Sequence, residues 1–177
     1  MTAALSVLLV LALMGAFDTI VYHELVARLP WKPSARRELQ LHAARDVIYF
    51  VLFASLAWLE PHGWLVLALA VLLATEIGIT LSDFLVEDGT RRLPAGERSM
   101  HAIMGITYGV FVALLFPQAI AWWREPTAFA TASYGVLSWL LSLFALGVLG
   151  SGVRDFLAAH ALKKIAALPA VSERAAI

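Results

Sequence analysis

Acids and imidazoles recur along this chain at matched positions. Asp18, Arg28-Leu29-Pro30, Glu38, His42-Ala43 and Tyr49 are followed by Asp83, Arg92-Leu93-Pro94, Glu97, His101-Ala102 and Tyr108 in the same order. The repeated residues are those hardest to hold in an apolar medium, rather than the apolar ones that any membrane helix shares. Carboxylates gathered in a low-dielectric interior repel one another and lose hydration unless a cation or protons compensate. A divalent metal does so directly. The pattern therefore marks a candidate metal site with Asp18, Glu38, His42, Asp83, Glu97 and His101 as ligands.

The surroundings of these residues are a membrane interior. With 61% hydrophobic and 15% charged residues and a mean hydropathy of +0.81, 177 residues hold more apolar side chain than one soluble core can bury. The expected fold is all-α and polytopic, with helices near residues 3–22, 44–60, 63–85, 99–121 and 128–153. The first stretch lacks the basic leader of a signal peptide and carries part of the repeat, so it reads as a retained helix. Residues 1–157 form one transmembrane domain, with repeat A at 1–60, repeat B at 63–121 and then the fifth helix, followed by a cytoplasmic tail at 158–177. Pro61 and Gly63 mark a tight turn between helices two and three, and Pro117 and Pro126 bracket the loop after helix four.

Charge sets the orientation. Of the 13 Lys and Arg, only Arg124 falls on the side opposite the others, which places the amino terminus outside and the carboxyl terminus in the cytoplasm. A plasma or inner membrane is the expected location, with the lipid bilayer as the main partner. Zero net charge gives no support for nucleic acid, and the absence of cysteine excludes disulfides and thiolate ligands.

In that topology the polar residues converge on the cytoplasmic end of the first four helices. Glu38, His42, Asp46 and Tyr49 form one helical stripe, Glu97, His101 and Tyr108 a second, and Glu76, Thr80, Asp83 and Glu87 a third. Asp46 and Glu87 thereby join the candidate ligands. Helices one and three run the same way, so the hairpins form a parallel repeat about an axis along the membrane normal. Asp18 and Tyr22 share a face, while His23 and Glu24 point elsewhere on a regular helix. A structural reading stands beside this one: Glu38 and Glu97 favour the dipole of a first helical turn, and Arg28, Arg45, Arg91 and Arg92 can pair with Asp18 and Asp83.

One carboxylate from the first helix of each hairpin and a Glu/His pair from the second resemble the di-iron or di-manganese carboxylate sites of ferritin-like four-helix bundles. Here the Glu-to-His spacing is four residues where that family has three. The resemblance implies two divalent ions per chain, iron favoured, with manganese or zinc as alternatives.

The leading expectation is a membrane metalloenzyme acting on a lipid or other apolar substrate: oxidation with iron, hydrolysis with zinc. Alternatives are a b-type haem carrier using His42 and His101, and a cation or proton transporter. The clustered His boxes of membrane desaturases, a G-x-S-x-G elbow, a P-loop and a dinucleotide fingerprint are all absent. Glu76, deep in helix three, needs a proton or a hydrogen-bond donor, with Tyr49 and Tyr108 as donors. These three are the candidate catalytic residues, as relay or substrate contact. Gly147, Gly150 and Gly152 suit helix five for close packing against the bundle or a second protomer.

Overall fold

The computed structural model describes residues 1–167. Five helices account for most of them: α1 (Thr2–Asp18), extended by a π-helical segment (Thr19–Ala27), then α2 (Arg36–Trp58), α3 (Leu65–Thr90), α4 (Ala95–Trp123) and α5 (Val136–Ala167). All five spans are long and apolar enough to cross a membrane. The distribution of side chains fits that environment. Leu13, Leu67, Val71, Ile106, Phe116 and Leu143 face outward, while acids and histidines are buried among the helices.

The helices outrun their apolar stretches at the polar ends. α2 starts at Arg36 rather than near 44, α3 continues to Thr90 rather than 85, and α4 starts at Ala95 rather than 99. Hydropathy marks what can lie against hydrocarbon, whereas the helix persists wherever its polar residues find partners inside the bundle. Pro117 lies within α4 rather than in the loop after it; its side chain is exposed, away from the helix contacts. α5 begins at Val136, later than 128, because Phe129–Thr131 (β2) pairs antiparallel with Leu59–Pro61 (β1). This ribbon lies at the end of the molecule opposite the acids. The expected tail at 158–177 continues α5 as far as Ala167, and residues 168–177 lie outside the described ones.

Packing sets which polar faces meet. α1 lies along α4, and α2 lies along α3 and, most extensively, α5. Leu5, Leu8, Leu52, Phe111, Leu115 and Leu141 close the apolar half of the core. At Gly152 of α5 an added Cβ would lie 2.9 Å from the Asp46 Cβ, so this glycine permits the α2–α5 contact. Gly63, at φ +56°, makes the expected tight turn between α2 and α3, pressed against the main chain of Thr127.

A candidate metal centre

Glu38 and Glu97 each lie in the first turn of their helices, α2 and α4, and both are fully buried. The helix dipole alone does not account for them, because both grip one guanidinium. Arg91, in the short link between α3 and α4, donates to Glu38 Oε1 at 2.8 Å, to Glu87 Oε1 at 3.1 Å and to Glu97 Oε1 at 2.6 Å. Burial alone would lower the Arg91 pKa, but its bonds to Glu97 and Glu38 outweigh that and hold it above its usual value. Arg91 was expected to pair with Asp18 or Asp83; it serves the glutamates instead.

The two aspartates face histidines across the bundle. Asp18 Oδ2 lies 3.2 Å from His101 Nε2, and Asp83 Oδ2 lies 3.0 Å from His42 Nε2. Arg45 also reaches Asp83, at 3.2 Å, as the sequence suggested. Glu87 Oε2 approaches His101 Nδ1 at 3.4 Å. Asp18, Glu38, His42, Asp83, Glu87, Glu97 and His101 thus form one buried cluster. Asp46 stands aside: eight residues from Glu38 is about 80° around a helix, and it faces Gly152 on α5.

His23 completes the cluster, contrary to the expectation from regular helical spacing. Five residues along an α-helix turn a side chain about 140° away from its start. The π-helical segment that begins at Thr19 is wound with i-to-i+5 bonds, which return His23 to the side of Asp18. His23 Nε2 is 3.3 Å from Asp18 Oδ2 and 3.7 Å from Glu97 Oε1, and its ring stacks on His42 with centroids 4.6 Å apart and planes 7° from parallel. Glu24 points away and pairs with Arg154 at 2.7 Å. Sequence reasoning also missed Asp155, a buried acid on α5 whose Oδ2 lies 3.8 Å from His42 Nδ1. Its one signal was an acid bordered by Phe156 and Leu157 on an apolar helix.

Two sets of ligand atoms emerge, each within 4.8 Å of one another: His23, Glu87, Glu97 and His101, and Glu38, His42 and Glu87. Glu87 belongs to both. Several atoms here are buried without a hydrogen bond, namely His23 Nε2, His42 Nε2, Asp18 Oδ1, Asp83 Oδ1 and Glu87 Oε2. The close N···O approach of His42 to Asp83 is therefore not a hydrogen bond. Ligands about 2.1 Å from a shared ion stand roughly 3.4 Å apart at a tetrahedral angle; within the first set Glu87 Oε2 lies 3.4 Å from His101 Nδ1 and Glu97 Oε1 lies 3.7 Å from His23 Nε2, whereas Asp18 and Asp83 belong to neither set.

The candidate catalytic residues occupy a separate place. Glu76 is buried midway along α3, about 10 Å from Asp83 by helical rise. Its Oε1 accepts from Tyr49 at 3.0 Å and from Thr80 at 2.8 Å. Tyr108 donates to the Leu73 carbonyl at 3.1 Å. The two tyrosine hydroxyls serve the middle of α3 and not the ligand cluster.

No family model, curated protein or solved structure matches the chain.

Proposed function

We propose that this is a multi-pass protein of a plasma or inner membrane with a two-ion carboxylate/histidine centre, iron favoured over manganese or zinc, that carries out redox chemistry on a lipid-like substrate. One observation carries the reading: two adjacent ligand sets share Glu87, as a bridging carboxylate between two ions would. Charge supports it. Five carboxylates (Asp18, Glu38, Asp83, Glu87, Glu97) meet two guanidiniums (Arg45, Arg91), a formal excess of three negative charges. Three protonated histidines would balance that sum, but His23 and His42 stack face to face at 4.6 Å, where two cations repel. Two divalent ions supply four positive charges against that excess of three without that repulsion, and an oxygen-rich ligand set favours iron or manganese.

The centre lies at the cytoplasmic end, with the amino terminus outside, in line with the basic residues around it. The two hairpins are related by a pseudo-two-fold axis along the membrane normal. In support, the repeat exchanges Asp18–His101 with Asp83–His42 and the α1–α4 packing with α2–α3. Direct packing of the three imidazoles on one another and on carboxylates suits metal ligation better than a haem disc held between His42 and His101.

Elemental analysis and an absorption spectrum of the purified protein test this. The expected result is about two equivalents of iron or manganese per chain, no Soret band, and loss of metal in a His23→Phe variant that keeps the ring stacking. Folded protein that takes up no metal after exposure to iron, manganese and zinc, or a Soret band, overturns the proposal.

A further inference from the structure

A cavity of about 910 Å³ opens inside the membrane-spanning part of the bundle, lined by all five helices. That volume lies in the range of sites that hold drug-sized molecules. Missing side chains create it. Gly15 on α1, Gly105 and Gly109 on α4, and Gly147 and Gly150 on α5 all line the cavity, and a Cβ at any of them would meet nothing within 4 Å. Gly147 and Gly150 therefore do not bring a helix close, as Gly152 does; they leave room.

The walls are mostly apolar, with Arg45, Asp46 and Arg154 among the polar residues that also line them, and two buried polar groups stand out. At one end stand Asp18 and His101, with Asp18 Oδ1 buried and without a hydrogen bond. Partway along is Glu76, 3% exposed, and both hydrogen bonds to it fall on Oε1, leaving Oε2 without either. A carboxyl at this depth that lines the cavity, with its hydrogen bonds from Tyr49 and Thr80 both on one oxygen, is a built recognition point for a polar group on an apolar body. A hydroxyl suits it in either protonation state, since it donates to a carboxylate and accepts from a carboxylic acid.

We propose that the cavity binds a hydroxyl-bearing lipid, its hydroxyl on Glu76 and its apolar chain filling the space left by the glycines, with part of the molecule reaching Asp18 and His101. Binding stands on the cavity alone; that the molecule is also the substrate rests on the metal-centre reading.

The test uses full-length protein in detergent, radiolabelled hexadecanol and hexadecane as probes, and metal content measured on the same samples, with and without chelator. Wild type is expected to retain hexadecanol about tenfold more tightly than hexadecane, the contribution of one buried hydrogen bond. Glu76→Leu abolishes that preference, and Gly147→Leu, which fills the cavity, weakens both probes while leaving metal content unchanged. Equal affinity for the two probes in wild type, or undiminished binding in folded Gly147→Leu, overturns the proposal. Probe binding that survives chelation in a protein never found to hold metal supports the lipid site and refutes the metal centre; bound metal without probe binding does the reverse.

Discussion

Replacing Arg91 by Leu separates charge compensation by the protein from compensation by a metal. Three carboxylates converge on this guanidinium, and Glu38, Glu87 and Glu97 are each 0–1% exposed. Removing one partner of a buried ion pair costs about 3–5 kcal/mol, because the remaining charge stays desolvated. In metal-free buffer the variant should lose at least that much, since three acids are stranded. A divalent ion has higher affinity for the stranded acids than for the wild-type set, so added Mn²⁺ should restore stability more in the variant. At a concentration 100 times the dissociation constant, the recovery is about 2.7 kcal/mol. Thermal unfolding in detergent, with chelator and across a Mn²⁺ titration, reads both quantities. Full stability of the variant in chelator would refute the claim that Arg91 balances ionised glutamates. A destabilised variant indifferent to Mn²⁺, Fe²⁺ and Zn²⁺ would refute the claim that these atoms are placed to bind a cation.

Two further outcomes concern the opposite end of the molecule. Burial alone would raise the Glu60 pKa, but hydrogen bonds from Tyr134 and Trp122, with the His62 ring 3.5 Å away, outweigh it and hold the value below the ordinary one. Glu60 therefore contributes stability that is complete above the unfolded carboxylate pKa of about 4.3 and is lost as pH falls through the lower folded value. For this partly exposed group the contribution is about 1 kcal/mol or less, and Glu60→Gln should flatten the acid limb of stability measured against pH; an unchanged limb would count against the Glu60 hydrogen bonds. Gly63→Ala should destabilise the protein by about 1–2 kcal/mol in denaturant titrations, because φ is +56° and the added Cβ would sit 2.7 Å from the Thr127 Cα. Wild-type stability would contradict the close turn between α2 and α3.

The chain's own pattern determined a good deal. Five apolar stretches separated by polar links require five helices, since only internally bonded backbone survives in lipid. Acids and histidines placed twice at matched helical spacing had to be buried and mutually close, or else solvated at great cost. Asp18, Glu38, His42, Asp83, Glu97 and His101 are buried together as that spacing requires, because each lies on a regular helix whose periodicity is 3.6 residues. Tertiary structure decided the rest. His23 entered the cluster only because the end of α1 is wound as a π-helix, a change of pitch that depends on packing and that residue spacing does not reveal. Asp155 arrived because α5 packs against α2, a choice between helices far apart in sequence. Asp46 left the stripe because helical phase drifts over eight residues toward whichever neighbour is there, in this case Gly152. Arg91 became the centre of the glutamates rather than the partner of an aspartate because a short link places its guanidinium on the line between α2 and α4, and three dimensions, not sequence proximity, decide which charge it meets.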